Sequence, residues 1–465
     1  MRRLLPLTVL AVLALAAPAS ASPPKLDWKA CDAPFECASA KVPLDYAHPN
    51  GRKIGLALIR VRAADPATRI GSVFVHPGGP GSSGVDNIRN APAAAIGAIT
   101  RRFDVIGLDT RGSAHSRPVV DCKVDQERLG PFAQPFIRPD TLDVPALLDR
   151  TDRYLRRCMK LNGDLLEHMS SADVARDLDL LRAAVGDKQL NYIGHSYATM
   201  YGATYASMFP GRVRSMVLDS PIDAETWVHR PFEAIREQTA ALEHGLDRFF
   251  VNSSVTEREF DELLAKLDAK PLGSLDGDDL RLAAMSISKP QEWPGFEAAI
   301  RAAQHGDGSG LRAMTDAYYR IGNLFNQDLA VAEQALDMRY PHRVRPFLRA
   351  AEHAAALFDH FAVNNGYSEL PYGRLPVSDR SAYFGPFRNS HTSGPALVIG
   401  TIHDPWTPYT WAKRLTDDLG NARMLTYDGD GHGSITSLNP CIVGTMLGYL
   451  EDGALPPEGT VCPSS

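Results

Sequence analysis

The chain has 465 residues, of which 44% are hydrophobic, 22% charged and 8% aromatic. This mixture has enough apolar material for a large core, which excludes wholesale disorder and a collagen-like or coiled-coil fibre. Its 49 basic and 55 acidic residues leave a net charge of −6 with no basic block. A nucleic-acid partner, which needs clustered Lys and Arg to replace counterions, is therefore not expected.

Residues 1–21 read as an export signal. Arg2 and Arg3 form a positive start, Leu4 to Ala17 are apolar except at Pro6 and Thr8, and Ala19-Ser20-Ala21 is a small-x-small cleavage pattern. The stretch is short for a membrane span, and no other segment is long and apolar enough, so a soluble exported chain is expected after cleavage at Ala21. Cys31, Cys37, Cys122, Cys158, Cys441 and Cys462 agree with an oxidising compartment. Six cysteines allow fifteen pairings, of which neighbour with neighbour is the simplest (31 with 37, 122 with 158, 441 with 462). No Cys-x-x-Cys and no His-Glu-x-x-His occurs, and the chemistry expected below requires neither metal nor organic cofactor.

Short apolar runs at 54–61, 71–75 and 103–108 read as strands. A helix over 171–185 follows, with Ser170 as its cap and Val174, Leu178, Leu181 and Val185 on one stripe. Strands return at 190–193 and 213–218. Strands separated by helical segments predict a mostly parallel sheet with helices on both faces, an α/β class. From 224 to 390 the pattern turns helical, as in the stripes Ile235, Leu242, Leu246, Phe249 and Phe260, Leu263, Leu264, Leu267, with a loop at 306–310. Strands resume at 396–399 and 424–427. The expected organisation is a core from 22 to 223, a helical cap from 224 to 390, and the rest of the core from 391 to 465.

The chemistry-bearing segments sit at strand ends. Gly194-His-Ser-Tyr-Ala198 lies between a strand and a helix, which suits a nucleophile held on a sharp turn, although Ala198 occupies the last position of the usual Gly-x-Ser-x-Gly. His76-Pro-Gly-Gly-Pro-Gly-Ser-Ser-Gly84 follows an earlier strand. Its glycines can turn a backbone N–H towards a reacting carbonyl, and Val85 stands where a phosphate loop would need Lys. Asp404 and His432 each follow a later strand, in the order acid then base expected after Ser196. Asp219, at the end of the 213–218 strand, is the competing acid.

With these motifs, and with Leu108-Asp-Thr-Arg-Gly112, Phe209-Pro-Gly-Arg212 and Asp404-Pro-Trp-Thr-Pro408, the sequence resembles the secreted tripeptidyl aminopeptidases, serine peptidases of the α/β-hydrolase fold related to proline iminopeptidases. The resemblance implies Ser196, Asp404 and His432 as a triad, the Gly79 and Tyr197 amides as oxyanion hole, and a cap between the core halves. It implies release of short peptides from free amino termini. An esterase, lactonase or amidase acting on small metabolites with the same triad is the alternative, and a non-catalytic binding protein on the scaffold is a third reading. A protonated α-amine in a partly dry pocket needs a carboxylate or several carbonyls; Asp223, Glu225 and Glu233 lie near the entry of the cap and Glu369 near its exit, and sequence alone selects none of them.

Overall fold

The computed structural model describes residues 21–130, 142–319, 326–362 and 365–464; the side chains of residues 318 and 319 are left out of the description. All of residues 1–20, the body of the expected export signal, lie outside it. Among the described residues ten strands form one mixed sheet: β1 (Lys29–Ala30), β2 (Glu36–Pro43), β3 (Lys53–Val61), β4 (Gly71–His76), β5 (Phe103–Leu108), β6 (Leu190–His195), β7 (Val213–Asp219), β8 (Ala396–His403), β9 (Ala422–Asp430) and β10 (Val461–Pro463). Their order is β1-β2-β3-β5-β4-β6-β7-β8-β9-β10. The first three strands and the β3–β5 contact are antiparallel, and every pairing from β5–β4 through to β9–β10 is parallel.

The central strands are apolar on both faces because helices cover both. Their side chains alternate between two clusters, as the period of two requires. Val73, Val105, Ile193, Val217 and Leu397 pack with helices Gly84–Asn90, Ala93–Thr100 and Pro440–Asp452. Phe74, Ile106, Tyr192, Met216, Leu218 and Val398 point the other way, onto helices Ser171–Ala184, Ala198–Met208 and Tyr409–Leu419. Between β7 and β8 every described element is helical, from Ala224–His229 to Leu370–Arg374. Apolar residues of this insertion, among them Trp227, Ile235, Leu282, Met285 and Leu336, belong to the second cluster, so insertion and sheet share one core.

The expected strands and the 171–185 helix are present, the latter as Ser171–Ala184 with the Ser170 side chain accepting from the Asp173 amide. The hairpin strand β2 and the edge strands β1 and β10 were not expected. In β2, Glu-Cys-Ala-Ser-Ala-Lys is poor in the β-branched residues that mark a strand, and pairing along the whole of β3 supplies what propensity does not. Disulfides join Cys31 to Cys37, Cys122 to Cys158 and Cys441 to Cys462. They tie β2 to the segment before it, the loop after β5 to helix Val144–Asn162, and helix Pro440–Asp452 to β10.

Candidate active site

Parallel strands aim their carboxyl ends at one edge of the sheet, and the singled-out motifs gather there. Ser196 follows β6 with a φ of 55°, a left-handed conformation that few non-glycine residues adopt. The turn is held by the Ser196 N–H donating to the Asp219 carbonyl (3.0 Å) and by the Thr199 N–H and Oγ1 donating to the Ser196 carbonyl (2.9 and 2.7 Å). A side chain at Gly194 would meet the Ala198 carbonyl oxygen at 2.7 Å, so that position must stay small. Ala198 itself is fully buried, its methyl part of the core and its carbonyl accepting from Tyr192 Oη at 2.9 Å. The extra methyl fits.

The glycine-rich loop after β4 passes directly over this turn. A Cβ on Gly78 would lie 2.4 Å from the His195 carbonyl oxygen and 2.9 Å from the Tyr197 nitrogen. His76 is fully buried, and burial pushes its pKa down to about 3, so its ring is neutral. Its Nδ1 accepts the Gly78 N–H at 3.1 Å. That bond takes up the Gly78 amide, whereas the Gly79 and Tyr197 amides have no acceptor among the described residues. Gly79, Ser196 and Tyr197 line the same cavity.

His432 follows β9 and lines that cavity too. Its Nδ1 lies 2.9 and 3.0 Å from the two carboxylate oxygens of Asp404. Asp404 is buried and also accepts from the amides of Trp406 and Thr407 (2.9 Å each) and from Thr407 Oγ1 (3.0 Å). Burial works to raise its pKa, but the neighbouring His432 and these bonds outweigh it, and the carboxyl stays below its ordinary range. Asp219 is placed differently. Its carboxylate accepts from the Ser434 and Ile435 amides (3.2 and 3.3 Å) and from Ser434 Oγ, and it lies 3.3 Å from His195 Nδ1. Asp219 thus fixes the loop after His432 and the residue before Ser196.

The cavity has a volume of about 350 Å³, and the insertion supplies much of its wall. Trp227, Ile235, Leu282, Met285 and Tyr372 make it largely apolar, with Gln238, Gln334, Ser368 and Glu369 as polar exceptions. Of the four acids flagged in the sequence, only Glu369 lines it. Asp223 caps helix Ala224–His229 and pairs with Arg414, Glu225 accepts from the Phe387 amide, and Glu233 pairs with Arg230. Glu369 is 1% exposed and accepts from Tyr340 Oη and the Gly366 amide, and no cation among the described residues is paired with it. Burial raises its pKa to about 7 against those two bonds. The cavity residues Trp227 and Tyr372 carry no sequence signal, since each is an ordinary residue within a helical pattern.

The model of the α/β-hydrolase fold family matches residues 71–436. The chain belongs to that family. It is 28% identical over 464 residues to serine protease Hip1 of Mycobacterium tuberculosis, covering 92% of this chain and 87% of the relative. It is 30% identical over 478 residues to the tripeptidyl aminopeptidase of Streptomyces coelicolor (94% and 86%) and over 458 residues to carboxylesterase B of M. tuberculosis (92% and 86%). The resemblance read from the motifs is borne out, and this α/β-hydrolase is a serine hydrolase with peptidases among its relatives. Among the described residues no helix is long and apolar enough to cross a membrane.

Proposed function

We propose that this α/β-hydrolase is an exported exopeptidase that releases short peptides, of tripeptidyl type, from free amino termini through an acyl-enzyme on Ser196. The observation that carries the reading is one cavity lined by Ser196, His432 and Glu369. His432, oriented by Asp404, takes the proton of Ser196 Oγ as that oxygen bonds to the substrate carbonyl carbon. The oxyanion is held by the free amides of Gly79 and Tyr197. His432 then gives its proton to the leaving nitrogen, and water repeats the sequence to release the acyl product and restore the serine.

Exopeptidase action needs one end of the cleft closed and a counter-charge for the α-ammonium. The segment 224–390 serves as that closing cap, and Glu369 is the counter-charge, since a dry carboxylate with two hydrogen bonds and no paired cation among the described residues gains most from an incoming ammonium. Relatives named tripeptidyl aminopeptidase and serine protease support the peptide reading, and the three disulfides support export with residues 1–21 as signal. The relative named carboxylesterase keeps the small-ester alternative in the test. Free and amino-acetylated tripeptide anilides are compared at one pH, with a butyrate ester alongside. Acetylation is expected to lower kcat/KM by about 10²-fold or more, because it strands the buried carboxylate and adds bulk. Equal rates on both peptides sink the exopeptidase reading; ester turnover with neither peptide cut establishes the alternative.

A further inference from the structure

We infer that Asp337 is a positioning residue: its buried carboxylate tethers Tyr197, so that the Tyr197 amide faces the reacting carbonyl only while the helix Gln327–Asp337 is seated on the core. The inference rests on the reading of Ser196 as nucleophile and of the Tyr197 amide as an oxyanion donor.

Asp337 closes the C-terminal end of helix Gln327–Asp337 within the insertion, and it is 2% exposed. Three donors from two core segments converge on it. Tyr197 Oη donates to Oδ2 at 2.7 Å, the Ser171 amide donates to Oδ1 at 2.9 Å, and Ser171 Oγ donates to Oδ2. One carboxylate thereby joins the turn at the proposed nucleophile, the first residue of helix Ser171–Ala184, and the insertion. Among the described residues the ionisable groups around it include Glu333 on its own helix, Asp379 beyond the insertion helices, and Tyr197 and Tyr201 on the core. Burial raises its pKa to about 6, partly offset by the Ser171 and Tyr197 bonds, and in all three bonds the carboxyl is the acceptor.

The tethered ring has little other freedom. Tyr201 and Trp227 meet it edge-on, with centroids 5.6 and 6.0 Å away, and Trp227 belongs to the insertion and lines the cavity. Tyr197 lines the cavity, and its side-chain oxygen is bonded to the insertion. A shift at one end moves the other, and an ångström of misplacement at a reacting centre costs orders of magnitude in rate. Gln334, one helical turn before Asp337, lines the cavity, so the same helix also meets the substrate space.

Tyr197→Phe, Asp337→Asn and the double variant are to be compared with Tyr205→Phe, which removes a hydroxyl from helix Ala198–Met208, the helix that Tyr197 precedes (Tyr205 Oη to Asp179, 3.1 Å), away from the cavity. Steady-state kinetics, thermal midpoints and the rate of labelling by a fluorophosphonate are measured on each protein. Both single variants are expected to lose about 10- to 100-fold in kcat and in labelling rate with KM unchanged. The double variant falls no further than the weaker single one, because both break one link, and Tyr205→Phe keeps the full kcat. Tyr197→Phe removes only one hydroxyl and keeps the comparison readable if Asp337→Asn does not fold. Unchanged kcat in Tyr197→Phe, or losses that multiply in the double variant, overturn the inference. A wild-type protein that the fluorophosphonate does not label at Ser196 instead overturns the underlying reading.

Discussion

Asp219 and Asp404 stand at the ends of neighbouring parallel strands, yet only Asp404 reaches His432. Asp219 is the last residue of β7, paired in register with Ile399 of β8, while Asp404 follows the end of β8. The Asp404 carboxylate lies against Nδ1 of His432, whereas Asp219 holds Ser434, Ile435 and His195. The proposed division of labour has a kinetic consequence. Asp404→Asn favours the wrong imidazole tautomer and is expected to lower kcat by about 10⁴-fold. Asp219→Asn keeps that tautomer and only loosens the loop after His432, so the expected loss is about 10-fold. Steady-state rates on one anilide substrate check both, and a larger loss in Asp219→Asn would reverse the assignment.

The nucleophile is tested more simply. Ser196→Ala removes one oxygen at a turn fixed by backbone bonds to Asp219 and Thr199, none of which uses the serine hydroxyl. Turnover is expected to fall by about 10³-fold or more with an unchanged thermal midpoint. Residual activity close to wild type on a purified, folded sample ends the acyl-enzyme reading.

The disulfides carry a stability prediction. Cys122 and Cys158 are 36 residues apart and close the largest of the three loops. In the chain-entropy picture such a cross-link stabilises by about 4 kcal/mol through the unfolded state. Replacing both cysteines by Ala is therefore expected to lower the midpoint more than opening the pair 31–37, which closes a far shorter loop. Denaturation of the two variants side by side gives the order, and an equal effect contradicts it.

The strand ends and their loops were legible because each needs a residue type that little else explains. Gly78 must be glycine under the His195 carbonyl, and Ser196 must sit where a strand turns at once into a helix. The substrate side was not legible. Glu369 and Glu233 look alike as letters in helical segments, and only the packing of Tyr340 and Gly366 around Glu369 separates a buried carboxylate from a solvated one. Asp337 is equally silent in sequence, because its partners Ser171 and Tyr197 lie 166 and 140 residues away. Tertiary contacts of that range leave no periodic trace.

Glu369 brings stability and function into opposition, and pH separates them. Its folded pKa of about 7 lies above the ordinary glutamate value of 4.5 expected of the unfolded chain. The unfolded state therefore releases this proton at lower pH than the folded state does. The folded protein is not penalised below about pH 4.5, and it loses stability as pH rises through 7 and a charge must be held in the dry cavity. Glu369→Gln removes that charge. It is expected to be more stable than wild type at pH 8, by up to about 3 kcal/mol at full burial, with the difference disappearing near pH 4.5. The same substitution removes the proposed partner of the substrate ammonium, so kcat/KM on free tripeptide anilides falls while acetylated ones are little changed. Denaturant midpoints at the two pH values, with the two substrates assayed on the same preparation, decide the matter. A variant less stable than wild type at pH 8 shows that Glu369 is structurally required in its ionised form. A variant that is more stable and equally active on free peptides removes Glu369 from substrate recognition.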